Sequence, residues 1–268
     1  MKPTKHSLFL LSLVLIICLF TGCNSTKQPA NPSIADKHDT LPSVTTAPET
    51  TVPEPEGPTE PEHSALYLPN VSVEDVIRYF NEVCLDSEFI NSGNPSVVQK
   101  WTEPIYYSLY GECTDEDLAT LSAFADWLNA VEGFPGLSQA KTPADTTLRI
   151  HFCSQPEMID ILGDNFWGMD GGVTFWYLDD QIYDAVICYR TDIDQYIRNS
   201  VILEEIYNGL GPIQDTSLRP DSIIYSEFSQ PQWLTPIDEL ILKLLYHPDI
   251  RPGMNAQQCE QIIRALYY

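Results

Sequence analysis

The sequence predicts one α+β domain over residues 67–268, and three observations predict it. The chain is 268 residues long, enough for a full domain with appended segments. Segments of helical apolar spacing and segments of β-type residues follow one another in the order α-β-α-β-β-β-α-loop-α-α, with no internal repeat. Two of the strands face each other across the short polar turn Asp179-Asp180-Gln181, which makes a hairpin.

Ser72 can cap a helix from Val73 to about Cys84, because Val73, Val76, Ile77, Phe80 and Val83 recur at helical spacing. Residues 104–110, PIYYSLY, read as a strand. Thr114 opens a helix over about Asp115–Val131, which Gly133 and Pro135 end. Thr147–Cys153 alternates and is a second strand. Gly172–Leu178 and Ile182–Arg190 form the hairpin. A helix beginning at about Ile193 or Ile197 runs to Leu210, and an irregular loop follows. Thr235, with Pro236 at the first helical position and Asp238 at the third, caps a helix ending at Tyr246. Asn255 with Gln258 repeats that arrangement for a last helix.

The segment before residue 67 reads differently. Lys2, Lys5 and His6 precede the apolar run Leu8–Phe20, whose thirteen residues would rise about 20 Å as a helix, short of the ~30 Å hydrocarbon core. Residues 1–22 are therefore expected to be a signal peptide rather than a span. The run ends in Leu19-Phe20-Thr21-Gly22-Cys23, which resembles a bacterial lipobox, with Phe20 where Leu is usual. That resemblance implies a diacylglycerol on Cys23 and an anchor in the outer face of a bacterial membrane. Residues 23–66 are rich in Pro, Thr, Ser and Glu and nearly free of large apolar side chains, so they are expected to be a disordered stalk. Cys84, Cys113, Cys153, Cys188 and Cys259 remain in the domain, without a C-x-x-C pair, and read as buried thiols rather than a zinc ribbon or a redox motif.

From residue 67 onward 31 acidic residues face 10 basic ones. Such a surface repels nucleic acid and anionic headgroups and favours cations or basic peptides. There is no P-loop and no G-x-S-x-G elbow. His151 and His247 are the only histidines of the domain, one on a strand and one at a helix end, so no site of two or three imidazoles can be assembled from them.

Residues 204–211 read EEIYNGLG. In H-E-x-x-H, two imidazoles one helical turn apart grip Zn²⁺ and the Glu between them acts on the metal-bound water. Metzincins add a turn Gly and a third His. At that spacing this chain has Glu204, Glu205, Asn208, Gly211 and Gln214. The base position is kept as Glu205 and the turn as Gly211, while Glu204, Asn208 and Gln214 stand at the imidazole positions. Further on, Ser222-Ile223-Ile224-Tyr225 resembles a Met-turn with Ile224 in place of Met. The resemblance implies a metzincin-like mixed sheet with an edge hairpin, a central degenerate active-site helix and C-terminal helices. Residues 204–228 and 234–254, with Trp101-Thr102-Glu103-Pro104 upstream, also resemble an uncharacterised bacterial family, domain of unknown function 2927, grouped with metallopeptidase-like folds. That likeness covers about residues 97–266 and implies no known activity.

Amide oxygens are weak ligands for Zn²⁺, so no zinc is expected. One carboxylate and two amides suit a hard cation such as calcium better, provided Asp215 and waters join. A metal-free network, with Glu204 and Asn208 bonded across one turn, is the other arrangement. Three functions remain open. The first is a non-catalytic lipoprotein domain that binds a peptide or an envelope protein. The second is a hydrolase using Glu205 with a hard cation or without metal, and the third is a structural envelope lipoprotein. By the metzincin resemblance, a peptide would add to the edge strand through Val173, Phe175 and Tyr177.

Overall fold

A computed structural model describes residues 64–85, 96–227 and 230–268. The expected signal peptide, the lipidation site Cys23 and the stalk as far as His63 lie outside the described residues. Within them, no helix is long and apolar enough to cross a membrane. The chain is already packed on the domain at Ser64, three residues before the expected boundary. The Ser64 hydroxyl donates to the Leu266 carbonyl at 2.5 Å, and Leu66 packs on the core.

The helices form where the spacing places them. Helix α1 spans Val73–Leu85, α2 Asp115–Asn129, α4 Gln195–Gly209, α5 Pro236–Tyr246 and α6 Ala256–Tyr267. Thr114, Thr235 and Asn255 close capping boxes with Asp117, Asp238 and Gln258. Helix α4 starts at the Asp194 cap, whose side chain accepts the Tyr196 N–H, rather than at an apolar residue. Helix α3, Gln155–Leu162, was not expected. Its signal is Ser154 with Glu157 three residues on: the Glu157 carboxylate accepts from the Ser154 N–H at 2.8 Å and from its hydroxyl at 2.7 Å.

The strands are β1 Lys100–Trp101, β2 Ile105–Gly111, β3 Leu137–Gln139, β4 Leu148–Cys153, β5 Gly171–Leu178 and β6 Gln181–Arg190. They form one mixed sheet in the order β3-β2-β4-β6-β5, with β1 beside the first two residues of β6 on the β4 side. All pairs are parallel except β5 with β6. The hairpin turn is two residues, not three. Asp179 and Asp180 both take positive φ, 51° and 62°, as a turn matched to the strand twist requires.

One face of the sheet carries Ile105, Leu148, Ile150, Phe152, Val173, Phe175, Ala185, Ile187 and Tyr189 into the main core, which the helices cover. Part of the other face is covered by α3 and the short 3₁₀ turn Asp164–Phe166. There Met158, Leu162 and Phe166 pack with Cys153, Val186 and Cys188. The five domain cysteines are free thiols; Cys84, Cys153, Cys188 and Cys259 are buried and Cys113 is half-buried. A buried ion pair ties α4 to α2: Arg198 Nε donates to Asp117 Oδ1 at 2.8 Å, and Gln195 Nε2 reaches the same oxygen at 2.6 Å.

Candidate functional site

Helix α4 lies against the inner face of the sheet, and its last turns carry the EEIYNGLG run. Ile202, Leu203, Ile206 and Leu210 are buried in the core. Glu204, Glu205 and Asn208 lie on one further face of the helix, by the 3.6-residue period. Glu205 is pressed against β5. A Cβ at Gly171 would sit 2.9 Å from the Glu205 Cγ and 3.0 Å from its Oε1, so strand and carboxyl approach this closely only because position 171 lacks a side chain.

The helix end is held from several sides. Trp101 Nε1 donates to the Gly209 carbonyl at 2.9 Å and the Tyr246 hydroxyl to the Leu210 carbonyl at 2.7 Å, which satisfies groups that a helix C-terminus leaves open. Gly211 then turns the chain at φ 127°, where a Cβ would lie 2.4 Å from the Gln99 carbonyl oxygen. After the turn the Gln214 N–H donates to the Val83 carbonyl at 3.2 Å. Glu82 of α1 accepts from the Thr216 hydroxyl at 2.5 Å and from the Ser217 N–H at 3.0 Å.

Ile224 is fully buried. Its carbonyl accepts the Thr216 N–H at 2.8 Å, and Thr216 bridges Tyr225 in a parallel sense. Asp238 of α5 fastens this segment. Its Oδ1 accepts the hydroxyls of Ser222 at 2.7 Å and Tyr79 at 2.9 Å, and its Oδ2 accepts the Ile223 N–H at 3.1 Å. The turn and the segment that follows it are therefore fastened to α1 and α5.

The polar groups have the wrong chemistry for zinc. Burial, and then the charge of Asp215, push the Glu205 carboxyl well above the usual carboxylate range. Glu204, which is only half-buried by exposed area, is raised by the same desolvation and then by Glu205, Asp215 and Asp170. Asn208 is 1 % exposed, and its Nδ2 faces Asp215 Oδ1 at 3.4 Å. Glu204 and Asn208 are not hydrogen-bonded to each other, contrary to the expected bond across the turn; Asn208 turns to Asp215 instead. Gln214 and Asp215 are half-buried beside it. Among the described residues no three His, Cys, Asp or Glu side chains are arranged to hold an ion. One carboxyl and two amides do not fit Zn²⁺.

A model of the family of proteins of unknown function termed DUF2927 matches residues 73–265. The chain belongs to the DUF2927 family. No curated protein matches it. The family span contains the whole sheet and every strand-to-helix junction around α4.

In this DUF2927 chain, strand β5 is less open than the expected edge strand. The Arg190 N–H donates to the Asp170 carbonyl at 3.0 Å, and the register continues as Gly171↔Tyr189 and Val173↔Ile187. In an antiparallel pair this leaves the N–H groups of Gly171, Val173 and Phe175 pointing away from β6, at the free side of β5. Yet Val173 is 1 % and Phe175 0 % exposed, main chain included. Both side chains fill the core, and the outward amides over this stretch are shielded from solvent. The expected edge for peptide addition is thus closed at Val173 and Phe175. A register shift follows Trp176, after which Tyr177 is half-buried and Leu178 is 68 % exposed.

His151 stacks on Tyr110 with ring centroids 4.7 Å apart, on the face of the sheet opposite α4. His247 Nδ1 accepts the Asp249 N–H at 3.2 Å at the end of α5. Neither joins the α4 cluster. Lys100 was not singled out in the sequence. It is buried, and its ammonium donates to the Leu245 and Ile250 carbonyls at 2.7 and 2.5 Å, closing the end of α5. Desolvation lowers its pKa to about 8.

Proposed function

We propose that this DUF2927 chain is an exported, lipid-anchored envelope protein whose folded domain keeps a metzincin-like frame without its hydrolytic chemistry and binds a peptide segment of a protein partner. One observation carries the reading: the face of α4 that would hold a peptidase's imidazoles carries Glu204 and the buried amide of Asn208 instead, beside a Glu205 whose burial raises its pKa. The frame is supported by the antiparallel β5 beside α4, by the Gly211 turn, and by the buried Ile224 segment clamped to α5. The peptide would lie along α4 towards the exposed end of β5 at Tyr177 and Leu178, since the stretch at Val173 and Phe175 is shielded. The test is elemental analysis of the purified chain after equilibration with zinc, together with hydrolysis and binding of a peptide library. No stoichiometric zinc, no cleavage and saturable peptide capture are the expected results. One zinc per chain, with cleavage lost in Glu205→Gln, would sink the reading.

A second reading rests on the paired acids themselves. A neutral Glu205 beside Asp215 has the divided character of a general acid and its partner carboxylate. It requires chelator-insensitive hydrolysis that disappears in Glu205→Gln.

A further inference from the structure

Glu205 against β5, Glu204 and Asn208 on the same side of α4, and Asp215 after the turn bring several side-chain oxygens together. Asn208 supplies the decisive one. Its Nδ2 is turned to the Asp215 carboxylate, which fixes the orientation of the amide, and its Oδ1 is buried with no hydrogen-bond partner. A buried carbonyl oxygen without a donor is rare in a folded protein and is repaid by a ligand that donates. Around it stand the carboxyls of Glu204 and Glu205, which form no ion pair among the described residues, and the charge of Asp215. Glu204 and Asp215 are half-exposed, so the cluster opens to solvent on that side.

The acceptors do not converge on a point at which three His, Cys, Asp or Glu side chains could share an ion. A ligand that brings several donors at once and no acceptor of its own suits such a set. Guanidinium does this: it has five N–H donors in a rigid fork, no acceptor and a permanent charge. The surplus of 31 acidic over 10 basic residues in the domain draws such a cation in.

We infer that the α4 cluster of Glu204, Glu205, Asn208 and Asp215 is a binding site for an arginine side chain of a peptide partner. The inference rests on the peptide-binding reading above and gives that partner its chemistry. The groups facing the cluster are Asp170, which shares Arg190 with Asp192 and leaves one negative charge in excess, and Cys188 and Tyr189 of β6. The thiol and phenol are held neutral, Cys188 by the hydrogen bond with Cys153 and by burial, Tyr189 by burial. The proton that moves on binding therefore comes from Glu204 or Glu205. Arginine entry ionises them, releases protons and tightens as pH rises.

The experiment uses the full chain and blocked pentapeptide pools with randomised flanks and either arginine or its neutral isostere citrulline at the centre. Calorimetry in buffers of different ionisation enthalpy reads affinity and proton release together. The arginine pool should bind on the order of tenfold tighter than the citrulline pool, with proton release, and Glu204→Gln should abolish both differences. Glutamine copies the neutral carboxyl, so this variant keeps the fold. Equal binding of the two pools overturns the arginine site while leaving peptide binding intact. A preference for arginine unchanged in Glu204→Gln assigns it to surface charge and also overturns the site. Binding of neither pool removes the peptide reading as well. Calcium or zinc chloride alone, bound stoichiometrically and lost in Glu204→Gln, would make the cluster a metal site instead.

Discussion

Glu205 is a carboxyl that the fold keeps from water with a second acid, Asp215, beside it, and both effects favour its neutral form. The consequence for stability has a definite sign. A group whose folded pKa is raised contributes its full stability below the unfolded value, near 4.5, and loses it as pH rises towards the folded value. Over that window the unfolded chain ionises Glu205 freely while the folded chain does not. Glutamine has the shape and donors of the protonated acid and no proton to lose. Glu205→Gln should therefore match the wild type in urea denaturation at pH 4. At pH 8 it should be more stable than the wild type, because the folded wild type then carries the cost of a buried carboxyl that the unfolded chain ionises freely. A variant that is destabilised equally at both pH values would show that Glu205 is ionised in the folded protein.

At the scale of elements, the end of α4 shows what a sequence discloses. The helix, its Gly211 turn and the segment to Tyr225 were legible because glycine, caps and apolar spacing are local signals. The hairpin, the Thr114 cap of α2 and the capping boxes of α5 and α6 were legible for the same reason. Strands β1 and β3 were not, because two or three residues carry no periodicity and are strands only through their neighbours. The shielding of Val173 and Phe175 was hidden too. Alternation separates the two faces of a strand but does not reveal what covers its free side. The partnership of Asn208 with Asp215 crosses the turn and depends on where Gly211 sends the chain. Gly211 can be tested against Gly136. Both have φ beyond 100°, but a Cβ at Gly136 meets only the Asn129 side chain at 3.9 Å, whereas at Gly211 it meets the Gln99 main chain at 2.4 Å. Gly136→Ala should cost about 1–3 kcal/mol for backbone strain alone. Gly211→Ala should cost clearly more, because main chain must shift as well, and denaturant midpoints of the two variants measure the difference. Equal losses would mean that strain, not the approach to Gln99, fixes glycine in the turn.

In the sequence this acidic domain follows an N-terminal region that opens on a short basic and apolar segment. Basic residues at Lys2 and Lys5, the apolar run Leu8–Phe20 and the small residues Thr21 and Gly22 before Cys23 form a sequence of signals that leads to one chemistry. A single acyl chain holds a protein to a bilayer only marginally, whereas the two chains of a diacylglycerol hold it stably. The thioether to Cys23 would then be the main attachment, because a domain with 31 acids against 10 bases is repelled by anionic headgroups and gains nothing from the membrane surface. Cys23→Ser removes the sulfur and leaves the signal, the 23–66 segment and the domain unchanged. Expressed in a bacterium, the wild type should fractionate with membranes and resist extraction by high salt. The variant should appear either as an unprocessed precursor or as protein released from the membrane, separable by its mass. Salt-resistant membrane association of a processed Cys23→Ser chain would place the anchor somewhere other than Cys23.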